Sequence, residues 1–358
     1  MTLPPIGGVH RGTTRQEYFW TPRNADRRSL GSLTLRRGLE YSRNLVTAHL
    51  LDGGIETDPA KSLDDVCATA TAMYAHCLRY YPFVLGAQPV QMINLAAFYA
   101  AIAQEGARPQ PHGIDSIEAN GHTIYRYPEE LTSPSVDADD RASFYQLKTI
   151  LQGVVARGTA RAIASLSLYV AGKTGTTEDA VDGWFIGFTN DVTVAVWVGY
   201  DNADRKRRSL GSSETGASVA LPIFQPIIEA IWARKIASKA PLSGPSPEAQ
   251  HRLVDIAIDY QSGDRVRGSR GFVEHFRLGP DNKVHDTQYQ VVSGQSSDDE
   301  RGAKRGVKRS EASQRTSARR NSGQQAEGWG SRNSQDRNYY NYWQRGQDAS
   351  YLWRDHYP

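Results

Sequence analysis

Two short groups of residues in this 358-residue chain have types and spacing suited to holding a small anionic ligand. The first is Lys173-Thr174-Gly175-Thr176, inside the run Val170 to Thr177. Lysine is a compact point charge with three donors, and threonine hydroxyls both donate and accept. Presented along the edge of a sheet, they suit recognition of a carboxylate. The second group is Ser42-Arg43-Asn44, a hydroxyl and an amide two residues apart near a helix, where both could line a cleft. Alone it reads as an ordinary exposed helical segment. Gly172-Lys173-Thr174 also imitates the end of a phosphate-binding P-loop. That motif needs a glycine five positions before Gly172, where Ser167 stands, and a helix after the Lys-Thr, whereas strand patterns follow. Nucleotide binding is not expected.

The elements that must position these residues follow from patterning. Residues 1–31 are rich in Gly, Pro and Arg and read as loop. Thr34 offers an N-cap for a helix through Leu35, Leu39 and Tyr41 that carries Ser42-Arg43-Asn44 and continues into Leu45 and Val46. A second helix is expected from Ser62 to Leu78, capped by Ser62, and a third from Pro89 to near Gly106. Residues 107–140 read as a short hairpin and loops. Phe144, Leu147, Ile150, Leu151, Val154 and Val155 follow a helical spacing that Gly158 ends. After the tetrad come two strands, Gly183–Phe188 and Thr193–Tyr200, joined by Thr189-Asn190-Asp191 as a hairpin. A last helix covers Val219 to Trp232. Helices grouped around a short antiparallel sheet define an α+β domain.

Composition changes along the chain. Up to about residue 292 it has the apolar periodicity of a globular protein, while from Ser293 to Pro358 it turns to Ser, Gly, Gln, Asn and Arg. That tail holds 12 Lys/Arg against 8 Asp/Glu, enough to account for the whole-chain charge of +3. The remainder is near neutral and carries no nucleic-acid footprint. The tail reads as disordered and solvated; its interleaved Tyr, Trp and Arg offer a sticky segment as the alternative. Cys67 and Cys77, ten apart in one expected helix, would lie about three turns apart and read as two buried thiols unable to bridge. The N-terminus lacks the pattern of a signal peptide, and no apolar run approaches a membrane span. No metal-ligand spacing or cofactor motif occurs.

Longer stretches around the two groups resemble one family. Leu151-Gln152-Gly153-Val154-Val155-Ala156-Arg157-Gly158-Thr159-Ala160 precedes the tetrad, and Asp182-Gly183-Trp184-Phe185-Ile186-Gly187-Phe188-Thr189 and Val196-Trp197-Val198-Gly199-Tyr200-Asp201 follow it. With Leu85 to Gln91 and Glu214-Thr215-Gly216-Ala217, these resemble, over about residues 30 to 235, the transpeptidase domain of class A penicillin-binding proteins. Residues 253–290 resemble the small C-terminal extension such proteins carry. The resemblance implies an α+β, serine β-lactamase-like fold, divided here as 1–242 transpeptidase portion, 243–292 extension and 293–358 tail.

It also implies roles. Lys173, Thr174 and Thr176 would hold the carboxylate of a D-Ala-D-Ala stem peptide or a β-lactam, and the Thr176 backbone N–H would form half of an oxyanion hole. Gly175 would permit close approach of substrate to the strand. Ser42 would relay a proton to the leaving amine, and Asn44 would hold the peptide backbone. No cofactor is implied.

The sequence departs from the family at the nucleophile, a serine in Ser-x-x-Lys. The residues three positions before the nine lysines are Asp58, Tyr145, Val170, Ala203, Trp232, Ile236, Pro280, Arg301 and Arg305, and none is serine. In the family this motif lies farther back than the 41 residues before Ser42. The expectation is therefore a fragment that starts inside the domain, without the glycosyltransferase domain or the membrane anchor of its periplasm-facing family. Such a fragment is expected to form no acyl-enzyme alone and to fold fully only beside a complementary N-terminal fragment. The rival expectation is a non-catalytic remnant or binding fragment of a split or truncated gene.

Overall fold

The computed structural model describes residues 20–73, 76–128, 138–200, 208–267 and 271–284. The basic, aromatic tail lies outside them.

Helix α1 (Leu35–Glu40) starts where expected, with the Thr34 hydroxyl accepting from the Arg37 N–H at 3.2 Å. It does not continue through Ser42. The Arg43 N–H donates to the Gly38 carbonyl at 2.7 Å and the Ser42 N–H to the Leu39 carbonyl at 3.1 Å. These two bonds form a Schellman cap with Ser42 in the left-handed position, at φ +52°. Helix α2 (Asn44–His49) then folds back over α1. Gly38 makes this corner possible, because a Cβ there would lie 2.3 Å from Val46 Cγ1.

Helix α3 (Pro59–Met73) differs at both ends from its expected span. Asp58, not Ser62, caps it, accepting from the Ala60 N–H at 2.9 Å, while Ser62 is buried and bonded to both backbone groups of Glu56. Its early end lets the chain double back and join Cys67 to Cys77 in a disulfide, with Cα atoms 5.2 Å apart. The two-thiol expectation was therefore wrong because it assumed one unbroken helix. The bridge packs against a small core of Leu51, Leu63, Ala70, Tyr81 and Phe83.

Helix α4 (Met92–Ala103) begins after its cap residue Gln91 and not at Pro89. Strands β1 (Ser116–Ala119) and β2 (His122–Arg126) form the expected hairpin, turned by Asn120-Gly121, both at positive φ. Helix α5 (Ala138–Ala156) leads to the main sheet, β3 (Ala171–Thr176), β4 (Asp182–Phe188) and β5 (Thr193–Gly199), antiparallel in that order. Phe185 and Phe188 have opposite parity on β4 and so point to opposite faces. Phe188 meets Tyr99 of α4, whereas Phe185 meets Phe224 of helix α7 (Leu221–Ala233) at 4.7 Å. Helices thus cover both faces around a core of Ile102, Leu151, Val154, Val155, Phe185, Phe188, Phe224 and Ile228.

A one-turn helix α6 (Gly216–Val219) precedes α7 and begins in a capping box at Thr215. At the C-terminal side, α8 (Pro247–Gln250) leads into a hairpin of β6 (Leu253–Ile258) and β7 (Phe272–Arg277). This hairpin seats on α5, where Ala249 and Leu253 pack with Ala142 and Tyr145. Among the described residues no helix is long and apolar enough to cross a membrane.

Candidate substrate-binding site

The Schellman corner and the outer edge of β3 face each other and form a cleft. Lys173 Nζ donates to Ser42 Oγ at 2.8 Å and to its neighbour's carbonyl, Thr174 O, at 3.0 Å. Two groups 131 positions apart in sequence are thereby brought into direct contact. Burial is the cause that lowers the Lys173 amine from its ordinary 10.5 to about 8. A half-buried ammonium held with few polar partners gains from an arriving anion.

Of the tetrad's other members, Thr174 and Thr176 share one face of β3, buried toward its middle and exposed at its end, and Gly175 lies on the other. Thr176 is exposed at the end of β3, and its hydroxyl accepts from the Gly216 N–H at 2.9 Å. Thr174 is buried, its hydroxyl 2.6 Å from that of Thr159. Gly175 lies opposite Trp184, and a Cβ there would press to 3.2 Å on the Trp184 Cβ.

Ser42 is exposed beside the cleft, and Asn44 is half-buried at the start of α2. The Asn44 amide donates to the Arg23 carbonyl at 3.0 Å, so it also tethers the preceding loop. That loop does more than the sequence suggested. Asn24, buried, accepts from the Leu45 N–H at 3.2 Å and donates to the Arg28 carbonyl at 2.8 Å. Asp26 receives both terminal nitrogens of Arg43, at 2.8 and 3.0 Å. The Arg43 guanidinium holds the Asp26 carboxyl down at about 2. A Gly- and Arg-rich run carries no periodicity, and nothing in it marked Asn24 or Asp26 as the support of the Ser42 corner.

Support from below comes from Glu40, fully buried at the end of α1, two residues before Ser42. Its backbone carbonyl accepts from the Thr159 N–H at 3.1 Å, which ties α1 to the loop after α5 and, through Thr159 and Thr174, to β3. Gly158 permits this contact, since a Cβ there would stand 2.2 Å from the Glu40 oxygen.

A sheet edge carrying Lys-Thr-Gly-Thr opposite a Ser-x-Asn corner, with helices on both faces, is the architecture of a penicillin-binding transpeptidase domain. Residues 68–229, somewhat under half of the chain, match the family described as penicillin binding protein transpeptidase domain. Penicillin-binding protein 1A of Rickettsia bellii is 37% identical over 225 residues, covering 57% of this chain and 27% of that protein. Penicillin-binding protein 1A of Aquifex aeolicus is 34% identical over 211 residues, covering 57% and 26%. The crystal structure of penicillin-binding protein 1A from Haemophilus influenzae superposes with a TM-score of 0.59 at 21% identity, over 80% of this chain and 45% of that one. The chain thus spans about a quarter of the length of the curated relatives it matches. The matched residues contain the tetrad, whereas Ser42-Arg43-Asn44 precede them. Ser42 joins the tetrad through its contact with Lys173.

Proposed function

We propose that the Ser42–Lys173 cleft is the carboxylate-binding side of a peptidoglycan D,D-transpeptidase site, taking the D-Ala-D-Ala end of a stem peptide or a β-lactam. The observation that carries this reading is the 2.8 Å bond from Lys173 Nζ to Ser42 Oγ across the cleft. Lys173 offers the charge, and the exposed Thr176 hydroxyl, which accepts from Gly216, keeps its proton to donate. Thr174 donates to the same carboxylate while accepting from Thr159, as a hydroxyl can do both. Asn44 holds the peptide backbone. The Thr176 backbone N–H contributes half of an oxyanion hole, worth most where water is excluded.

In the reaction a serine oxygen attacks the penultimate D-Ala carbonyl and the C–N bond breaks. Ser42 passes a proton to the departing D-alanine amine; an acceptor amine then takes the acyl group from the serine. No serine stands three before a lysine in this sequence, so the attacking oxygen comes from a complementary segment, and this chain alone binds without acylating.

Equilibrium dialysis with radiolabelled benzylpenicillin tests the reading. The expected result is reversible retention that Lys173→Met abolishes, with no label left on the chain after denaturation. Equal retention by Lys173→Met would overturn the assignment of the clamp, and label surviving denaturation would overturn the absence of a nucleophile.

A further inference from the structure

The C-terminal hairpin reaches the underside of the Ser42 corner. Tyr260, just after β6, donates its hydroxyl to Glu40 Oε2 at 2.5 Å. Arg157 grips the same carboxylate through Nε at 2.9 Å and Nη2 at 2.5 Å, and Arg36 stands 3.5 Å from its other face. Arg36 in turn is held by Glu274 of β7 through two nitrogens, and by the carbonyl and hydroxyl of Thr149 at 3.0 and 2.8 Å. Phe272 lies beneath both guanidiniums, 4.9 Å from Arg157 and 5.2 Å from Arg36.

A buried carboxylate that accepts from three donors, with a second guanidinium 3.5 Å away, is held in a tightly constrained arrangement. It sits on the last residue of α1, two residues before a serine held in a left-handed conformation. Any loosening of Glu40 is therefore passed directly to the Ser42 turn. We propose that Tyr260 and Glu274 of the C-terminal hairpin are positioning residues for the site, fixing Ser42 against Lys173 through Glu40 and Arg36. The hairpin is then part of the site's scaffold and not an appendage to it. This rests on the reading that Ser42 and Lys173 line the binding cleft, but its test does not require a ligand.

The burial of Lys173 supplies the readout. If Ser42 moves away, water reaches the amine, and its titration midpoint climbs from about 8 toward the ordinary lysine range. Burial is the cause that lowers that amine, and among the described residues its polar contacts are Ser42 Oγ and the Thr174 carbonyl. The experiment is carbon-13 NMR of the full chain labelled at lysine Cε, with Lys173→Arg assigning the signal, on the wild type and on Tyr260→Phe. Tyr260→Phe removes one hydroxyl and keeps the ring over Arg157.

The expected result is a midpoint raised by about one pH unit, with the melting temperature changed by only a few degrees. Lys148, buried beside Glu105, serves as the internal control and stays in place. A Lys173 midpoint that does not move overturns the proposal, whatever the melting temperature does. Should Tyr260→Phe not fold, Glu274→Gln is read the same way. Failure of penicillin binding with a shifted midpoint would sink the functional reading and leave the positioning claim standing.

Discussion

Lys173 is the residue on which the site's chemistry turns, and its proton has a definite linkage to stability. Its folded pKa, about 8, lies below its ordinary 10.5. Between those two values the unfolded chain holds a proton that the folded chain has released, so stability rises with pH across that window. Below pH 8 both states are protonated, and the folded state bears a charge that its surroundings solvate poorly. Lys173→Met should therefore flatten the rise in melting temperature between pH 8 and 10, which thermal scans at stepped pH would show. A carboxylate ligand prefers the protonated amine, so penicillin retention should weaken above about pH 8, the opposite trend.

Ser42 gives a second test at this scale. A side chain at φ +52° costs about 1 kcal/mol, which glycine avoids. Ser42→Gly should raise stability by up to about 1 kcal/mol in urea titrations while weakening ligand retention. A destabilised variant would show that the left-handed turn is not strained.

At the scale of elements, two joints hold the cleft together. One is the contact of the α5 end with the α1 end at Gly158. Gly158→Ala would drive a methyl into the Glu40 carbonyl and open the Thr159 bond that leads to Thr174. It should destabilise the chain by about 2 kcal/mol and weaken penicillin retention together. The other joint, Cys67–Cys77, closes a ten-residue loop over the small core at α3. Reduction should lower stability by an amount on the order of 2–3 kcal/mol, seen as a lower melting temperature, and leave the Lys173 titration unchanged, because the bridge belongs to a different cluster.

These joints also mark where sequence patterning stopped being informative. The strands and α5 were legible because β4 and β5 are aromatic and β-branched and α5 keeps a clear apolar stripe. The α1 corner was not, because its break depends on Gly38 admitting Val46, a contact made only after folding. The disulfide escaped for a similar reason: one helix end, misplaced by five residues, changes two distant thiols into neighbours. Nothing in the sequence singled out Glu40, whose burial depends on α5 and the C-terminal hairpin closing over it.

At the scale of the whole molecule, the site is built from parts far apart in the chain. A loop near residue 24, the α1 corner, the α5 end, β3 and the C-terminal hairpin all converge on Ser42 and Lys173. The tetrad and the flanking strands were readable from their types and order; the supports, which are long-range ion pairs, were not. This assembly sets the Lys173 ammonium against the exposed Ser42 hydroxyl, where we propose that it receives a substrate carboxylate. The most direct test is to titrate the lysine-labelled chain at pH 7 with an N-acylated D-Ala-D-Ala peptide and with the same peptide as its C-terminal amide. The account predicts that the carboxylate moves the Lys173 signal and raises its titration midpoint, while the amide does not. A Lys173 signal equally indifferent to both, with the chain folded, would contradict it.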